Sequence, residues 1–393
     1  MERYINHESA IHIKNSNKIL MLAAVPSMIG QFNMENIRLL LAMGYEVHVA
    51  CNFYDTSVWT KEKISEFISQ MKVLGVHCHQ TGFSRSPGDV KSLFQSFRQM
   101  DSLVKKEGFQ FVHCHTPVAA AVCRLVCHRN RMKVIYTAHG FHFYKGAPMK
   151  NWLLYYPVEW LCSWWTDVLI TINKEDYRRA KRRLHAKKTV YVPGVGVDME
   201  KFKPDAACRE RKRAELVLKK TDIMLLSVGE LSKRKNHEVV IRALHEMKNP
   251  DVKYFICGMG ELEGCLKKII KELGLENQVE LLGYRTDISE LMQAADVFVF
   301  PSLQEGLPVA LMEAMASGLP CILSRIRGNS DLIMDKNCLA EAADVNEWKR
   351  ILENMVMKNE KNWYGEENRK RMNRYDISRV NQKMKKIYWM SDI

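Results

Sequence analysis

The chain has 393 residues, 47% of them hydrophobic and 26% charged, with a formal net charge of +14. So large an apolar share excludes a disordered chain and a small scaffold that needs disulfides or metal to hold its core. The positive excess favours an anionic partner: nucleic acid, an acidic lipid surface or a phosphorylated substrate.

In chain order, short β-rich runs alternate with longer helical patterns. Strands are expected at 18–24, 46–50, 76–80, 111–115, 133–137 and 167–172, with helices between them such as 34–43 and 90–106. Continuous apolar strands separated by helices indicate a parallel sheet covered on both faces. The run 19–25 follows Lys14 and Lys18, as in a signal peptide, but a strand–helix–strand unit continues from it. The aromatic run 152–165 contains Pro157 and Glu159 and falls short of the roughly 20 residues of a spanning helix, so no transmembrane helix is expected.

Val192-Pro-Gly-Val-Gly-Val-Asp198 interrupts the alternation and marks a linker near 193–204. A second series follows, with strands expected at 223–228, 254–257, 279–282, 297–300 and 321–324, and the tail 380–388 has the spacing of an amphipathic helix. The expected architecture is α/β: two doubly wound, Rossmann-like domains facing across a cleft, over 1–196 and 197–375, with a C-terminal helix over 376–393 packing back on the first. Eleven cysteines are scattered without a Cys-x-x-Cys pair and suit core positions in a reducing compartment. Cys123 and Cys127 share one helix face and are expected to pack.

Ligands of open parallel sheets bind outside the carboxyl ends of the strands. There, Asp296-Val-Phe-Val-Phe300 runs into Pro301, a loop, and a helix opened by Pro308 and stopped by Gly318. Glu305 sits in that loop. Glu313 sits among Val309, Leu311, Met312 and Met315, about a turn and a half into a helix that is apolar nearly all round. A buried carboxylate needs a partner, and sugar or ribose hydroxyls would serve. The amides of Gly306 and Leu307 at the helix mouth favour an anion such as a diphosphate.

The run Glu305-Gly-Leu-Pro-Val-Ala-Leu-Met-Glu313 resembles the Glu-x7-Glu signature of the retaining nucleotide-sugar glycosyltransferases of family 4, which have the GT-B fold. The resemblance implies that Glu305 meets hydroxyls of the donor sugar and Glu313 the ribose. Val228-Gly-Glu-Leu-Ser-Lys-Arg-Lys-Asn-His237 is similar to the family's diphosphate-holding loop, with Lys235 at the Lys position and Glu230 in place of its Arg; Lys233 or Arg234 could compensate. Cys257-Gly-Met-Gly-Glu261 resembles the Gly-x-Gly turn around Gly258, and Leu282-Gly-Tyr284 the loop that reads the base. Ser324–Ile333 fits the family too, without an assigned role.

In the first domain, Tyr136-Thr-Ala-His-Gly-Phe-His-Phe-Tyr144 resembles bacterial exopolysaccharide and capsule transferases, which implies that His139 approaches the donor sugar; His142 is a second candidate. On a strand, His113 and His115 point to one face and Cys114 to the other, so the trio does not converge on a metal. Pro26-Ser-Met-Ile-Gly-Gln-Phe-Asn33 stands where the family has a Gly-Gly turn, and Gly30 is expected to admit substrate closely in the acceptor region. The basic stretch 177–188 carries a Tyr177, Ala180, Leu184 stripe that suits either docking on anionic lipid or packing on the sheet. Trp152, Trp160, Trp164 and Trp165 offer rings for an interface or for the core.

Together the resemblance implies transfer of a sugar, N-acetylhexosamine or hexose, from a UDP-sugar to a polyprenyl-diphosphate-linked glycan during bacterial surface polysaccharide synthesis. The enzyme would be cytoplasmic, peripheral on the inner face of the plasma membrane. No cofactor or metal is implied, in keeping with the lack of an Asp-x-Asp motif, and no nucleic-acid motif is present. The alternatives are a UDP-sugar 2-epimerase on the same fold and a catalytically silent partner of a polysaccharide assembly complex.

Overall fold

A computed structural model describes residues 17–84, 88–333, 335–357 and 361–392. Lys14, the rest of 1–16, and residue 393 of the expected last helix lie outside the described residues. Seven strands form the first sheet: β1 Lys18–Leu22, β2 Glu46–Cys51, β3 His77–Gln80, β4 Phe111–His115, β5 Lys133–Ala138, β6 Val168–Thr171 and β7 Lys188–Tyr191. Six form the second: β8 Ile223–Val228, β9 Val252–Cys257, β10 Val279–Gly283, β11 Val297–Phe300, β12 Cys321–Ser324 and β13 Leu339–Ala340. Every pairing within them is parallel.

The orders are β3-β2-β1-β4-β5-β6-β7 and β10-β9-β8-β11-β12-β13. Each sheet thus winds outward in both directions from its middle, at β1/β4 and β8/β11. At such a reversal the loops leaving the two strands part to opposite faces and open a crevice. The two expected Rossmann-like units are present, in the GT-B arrangement.

Strands β7 and β13 were not expected. Both are short edge strands, and β7 starts with Lys188 and has no fully buried residue, so neither shows a continuous apolar run. The basic helix accordingly spans only Lys174–Arg183, and Leu184 is extended. Its stripe is packed: Ala180 and Leu184 belong to the core under the sheet.

Local signals account for the helices that were expected. Val90–Glu107 starts where the Asp89 side chain accepts from the Ser92 N–H and stops at Gly108, whose φ of 64° suits a residue without a Cβ. Helix Met149–Ser163 keeps Pro157 inside it, and its Glu159 forms two bonds, 2.6 and 3.1 Å, with the buried Arg124 of helix Pro117–Arg129. Among the described residues no helix is long and apolar enough to cross a membrane. All eleven cysteines are free, with Cys123 and Cys127 buried side by side.

The last helix, Ile377–Asp392, follows the second sheet yet packs on the first. Val380, Met384, Ile387 and Tyr388 join the core that lines one face of β1, β2 and β4. Tyr388 stacks on Phe111 and its hydroxyl lies 3.1 Å from His113 Nδ1. The linker is tied to the helix start, where Ile377 donates to the Val197 carbonyl.

Candidate active site

The β8/β11 reversal gathers the charged candidates. The loop after β8 carries Arg234 and Lys235, and the loop after β11 carries Glu305. Lys235 Nζ donates to Glu305 Oε1 at 2.8 Å, and Arg234 Nη1 donates to the same oxygen at 3.0 Å. Lys235 and Glu305 are nearly enclosed, and Lys235 also lies over the Phe300 ring. Burial lowers the Lys235 ammonium despite the neighbouring carboxylate. Glu230, which replaces the family Arg, stays exposed with a carboxylate oxygen 3.9 Å from Arg234.

Gly258 belongs to the same platform. A Cβ there would sit 1.9 Å from the Gly229 carbonyl oxygen, so only glycine lets the turn after β9 touch the turn after β8. Among the described residues no intramolecular hydrogen bond engages the amides of Gly306 and Leu307 just before helix Val309–Ala316. Leu307 itself turns inward and closes on Gly194 of the linker.

Glu313 is the other acid of the pair. It sits in the second turn of that helix, and burial pushes its carboxyl up to about 7, against a smaller opposing pull from Lys201. Among the described residues it forms no ion pair within 4.0 Å, unlike Glu305. One acid is thus paired with two cations, and the other is held close to neutrality.

Across the cleft, His139 follows β5. Its Nε2 lies 3.1 Å from Nδ1 of His115 at the end of β4. His113 Nε2 lies 2.8 Å from Thr137 Oγ1. Burial pushes His139 down to about 4, His113 to about 3, and His115 well below the usual imidazole value, so the row is uncharged at neutral pH. His139 lines a cleft together with Phe32, Asn33, Gly194 and Asn381. His142 instead stacks on Tyr155.

The two halves meet backbone to backbone at this point. A Cβ on Gly306 would come 2.0 Å from the His139 carbonyl oxygen, and one on Gly140 would come 3.2 Å from Gly306 Cα. Arg327, from the segment left without a role, locks the contact. Its Nη1 donates to the fully buried Asp176 at 2.6 Å, and its Nη2 donates to the Phe141 carbonyl at 2.6 Å. Asp176 also accepts from the Phe141 N–H. Arg327 thereby fixes the loop that follows His139. The signal that could have found it is the buried Asp176 in the first helical turn after β6, an acid that must have a partner.

One expectation comes out differently. Gly30 lies within helix Pro26–Phe32, and the space its Cβ would fill is taken by the Trp59 ring, 2.2 Å away, so its smallness serves an indole and not a substrate. The Tyr284 loop is joined to the Gly258 turn, whose N–H donates to the Gly283 carbonyl, and the Tyr284 side chain reaches the first half, where Lys63 Nζ donates to its hydroxyl at 2.7 Å and lies over its ring.

Comparison with known proteins adds the family. Residues 208–378 match the family described as Glycosyl transferases group 1, and residues 29–201 match Glycosyltransferase Family 4. EpsD of Bacillus subtilis (strain 168), a glycosyltransferase by name, is 36% identical over 95% of this chain and 96% of its own. An Escherichia coli UDP-Gal:alpha-D-GlcNAc-diphosphoundecaprenol alpha-1,3-galactosyltransferase is 34% identical over 63% of this chain and 65% of its own. Anabaena Alr3699/HepE in complex with UDP and glucose has the same fold, with a TM-score of 0.76 at 18% identity over 95% of this chain and 99% of that one. Matched along both halves, the chain belongs to the family 4 glycosyltransferases and is a transferase of the GT-B fold.

Proposed function

We propose that the protein moves N-acetylhexosamine or hexose from a UDP-sugar to a polyprenyl-diphosphate-linked glycan in bacterial surface polysaccharide synthesis, with retention at the anomeric carbon. The observation that carries this reading is the Lys235–Glu305–Arg234 cluster facing the His139 loop across the cleft. Lys235 and Arg234 share one anion, Glu305. A donor diphosphate offers the same cations a second anion, and the exchange releases a Glu305 oxygen toward the sugar hydroxyls. The leaving diphosphate gains charge as the glycosidic bond breaks, and Lys235, Arg234 and the Gly306 and Leu307 amides stabilise it. Glu313 accepts from the ribose hydroxyls. His139, neutral, offers the sugar a hydrogen bond without adding charge. A diphosphate oxygen on the leaving-group face takes the acceptor proton.

The names of three relatives support the acceptor class: one names a diphosphoundecaprenol-linked sugar, and two are named for colanic acid or amylovoran biosynthesis. An exposed apolar face supports association with the carrier's membrane. Helix Met149–Ser163 exposes Leu153, Leu154, Val158, Trp160 and Leu161, with Trp164 just beyond it. The basic helix lies beside it, since Arg179 sits over the Trp152 ring and His185 stacks on Trp164. Apolar side chains rimmed by cations suit an anionic bilayer.

The test is a panel of UDP-, GDP- and ADP-sugars with a synthetic polyprenyl-diphosphate sugar, read by mass spectrometry. Addition of one hexose or N-acetylhexosamine from a UDP donor is expected. Turnover from a GDP- or ADP-sugar alone would sink the donor assignment, and a product that is an epimerised donor would replace transfer with epimerisation.

A further inference from the structure

At the end of the first sheet away from the cleft, three imidazoles and a carboxylate crowd one face. Glu46 opens β2 and His48 is two residues on; His77 opens β3 and His79 is two residues on. Alternation along a strand puts each pair on a single face, and the register sets His48 beside His77. His48 is almost fully buried, with its ring stacked on those of both His77 and His79. His48 Nε2 lies 2.9 Å from Glu46 Oε1, and His77 Nε2 lies 3.6 Å from the same oxygen. One ligand atom from each of Glu46, His48 and His77 falls within 4.8 Å of the other two.

Hydrogen bonding accounts for part of this arrangement. A chain from Glu46 through His48 to His79, 2.7 Å farther on, satisfies both His48 nitrogens. It leaves His77 turned to the same oxygen at a distance beyond a good hydrogen bond. Three ligands bound to one tetrahedral zinc at about 2.0–2.1 Å lie roughly 3.3 Å apart; the two distances to Glu46 Oε1, 2.9 and 3.6 Å, fall on either side of that, and the exposed His77 ring, now stacked on His48, turns out of the stack for its in-plane lone pair to meet the ion. The contact with His79 is the outer-partner arrangement that metal-bound imidazoles use to fix their tautomer. Lys18 is the opposing charge, 3.7 Å from Glu46, but its shorter bond, 2.8 Å, goes to Glu107.

We propose that Glu46, His48 and His77 bind a divalent transition-metal ion of the zinc class, with a water as fourth ligand and His79 as a positioning residue. The mixed nitrogen and oxygen donor set fits zinc or cobalt and not magnesium or calcium. Strand β3 has four residues and, among the described residues, pairs only with β2, so an ion shared by the two strands ties down an otherwise weakly held edge. The role is structural, at the opposite end of the strands from the transfer chemistry.

The experiment strips the full-length chain with a chelator and titrates it with Co2+, read by visible absorption, and then with Zn2+, read by calorimetry and thermal melting. One equivalent is expected, with a tetrahedral cobalt spectrum that Zn2+ displaces and a higher melting temperature. His77→Gln, at an exposed position, and Glu46→Gln should each abolish the spectrum with the fold intact by circular dichroism. His79→Gln should weaken binding about tenfold. Cys265→Ser, at an exposed cysteine elsewhere, should change nothing. Wild-type binding in His77→Gln, or the lack of a tetrahedral spectrum in the parent chain, overturns the proposal.

Discussion

The two sheets open their crevices by the same reversal of strand order and then furnish them in opposite ways. The mouth of the second holds ions: Lys235 and Arg234 on Glu305, with Glu313 nearby in the helix. The mouth of the first holds uncharged imidazoles, His113, His115 and His139, kept neutral by burial. The difference matches what each side would handle. A diphosphate needs fixed cations, whereas a reacting sugar with positive character at its anomeric carbon gains nothing from another cation beside it.

The sharpest way to break this contrast is at Lys235. Lys235→Ala should cut kcat about 100-fold and raise KM far less, because the charge is most needed as the leaving group departs. A loss confined to KM would make Lys235 a ground-state binder only. Next in size is Arg327→Ala, which leaves the buried Asp176 with only the longer contact to Arg179, 3.5 Å, as its cation and should cost about 3 kcal/mol in urea unfolding. Unfolding within error of the parent would mean that the two halves are held by other contacts.

Glu313 sharpens the comparison through pH. Binding the ribose hydroxyls favours its ionised form, so UDP affinity should rise between pH 6 and 8, through the raised value of about 7. The stability it contributes runs the other way: the folded chain favours the protonated acid, so stability is greatest below the usual glutamate value and falls as pH rises through about 7. Glu313→Gln should flatten both profiles and weaken UDP about tenfold, as calorimetry at several pH values would reveal. The smallest effect concerns the outer face: Leu153→Glu should reduce cosedimentation with anionic vesicles severalfold while leaving UDP binding unchanged. Equal pelleting would remove helix Met149–Ser163 from the membrane reading.

Much of the fold was legible because burial on both faces writes continuous apolar runs into parallel strands. The stretch 301–320 stood out for the same reason, since two acids, Glu305 in its loop and Glu313 in its helix, need an explanation in so apolar a run. What escaped depends on distance in the chain. The edge strands β7 and β13 carry no apolar run. The Arg327–Asp176 pair joins residues 151 positions apart, and no local spacing announces it. Gly30 was misjudged because its neighbour, Trp59, comes from the approach to another helix, and a glycine that seats an indole looks the same in sequence as one that admits a ligand. The roles of Lys235, Glu305 and Glu313 rested on the family's pattern; the structure adds that the two acids live in unlike surroundings.

The closing helix has a consequence for biosynthesis. Because Val380, Met384 and Tyr388 complete the interior beneath the first sheet, the amino-terminal half cannot bury that surface when it leaves the ribosome. It must wait, with an apolar flank uncovered, until translation has passed position 388, which makes this half the one most in need of a chaperone and the last to become protease-resistant.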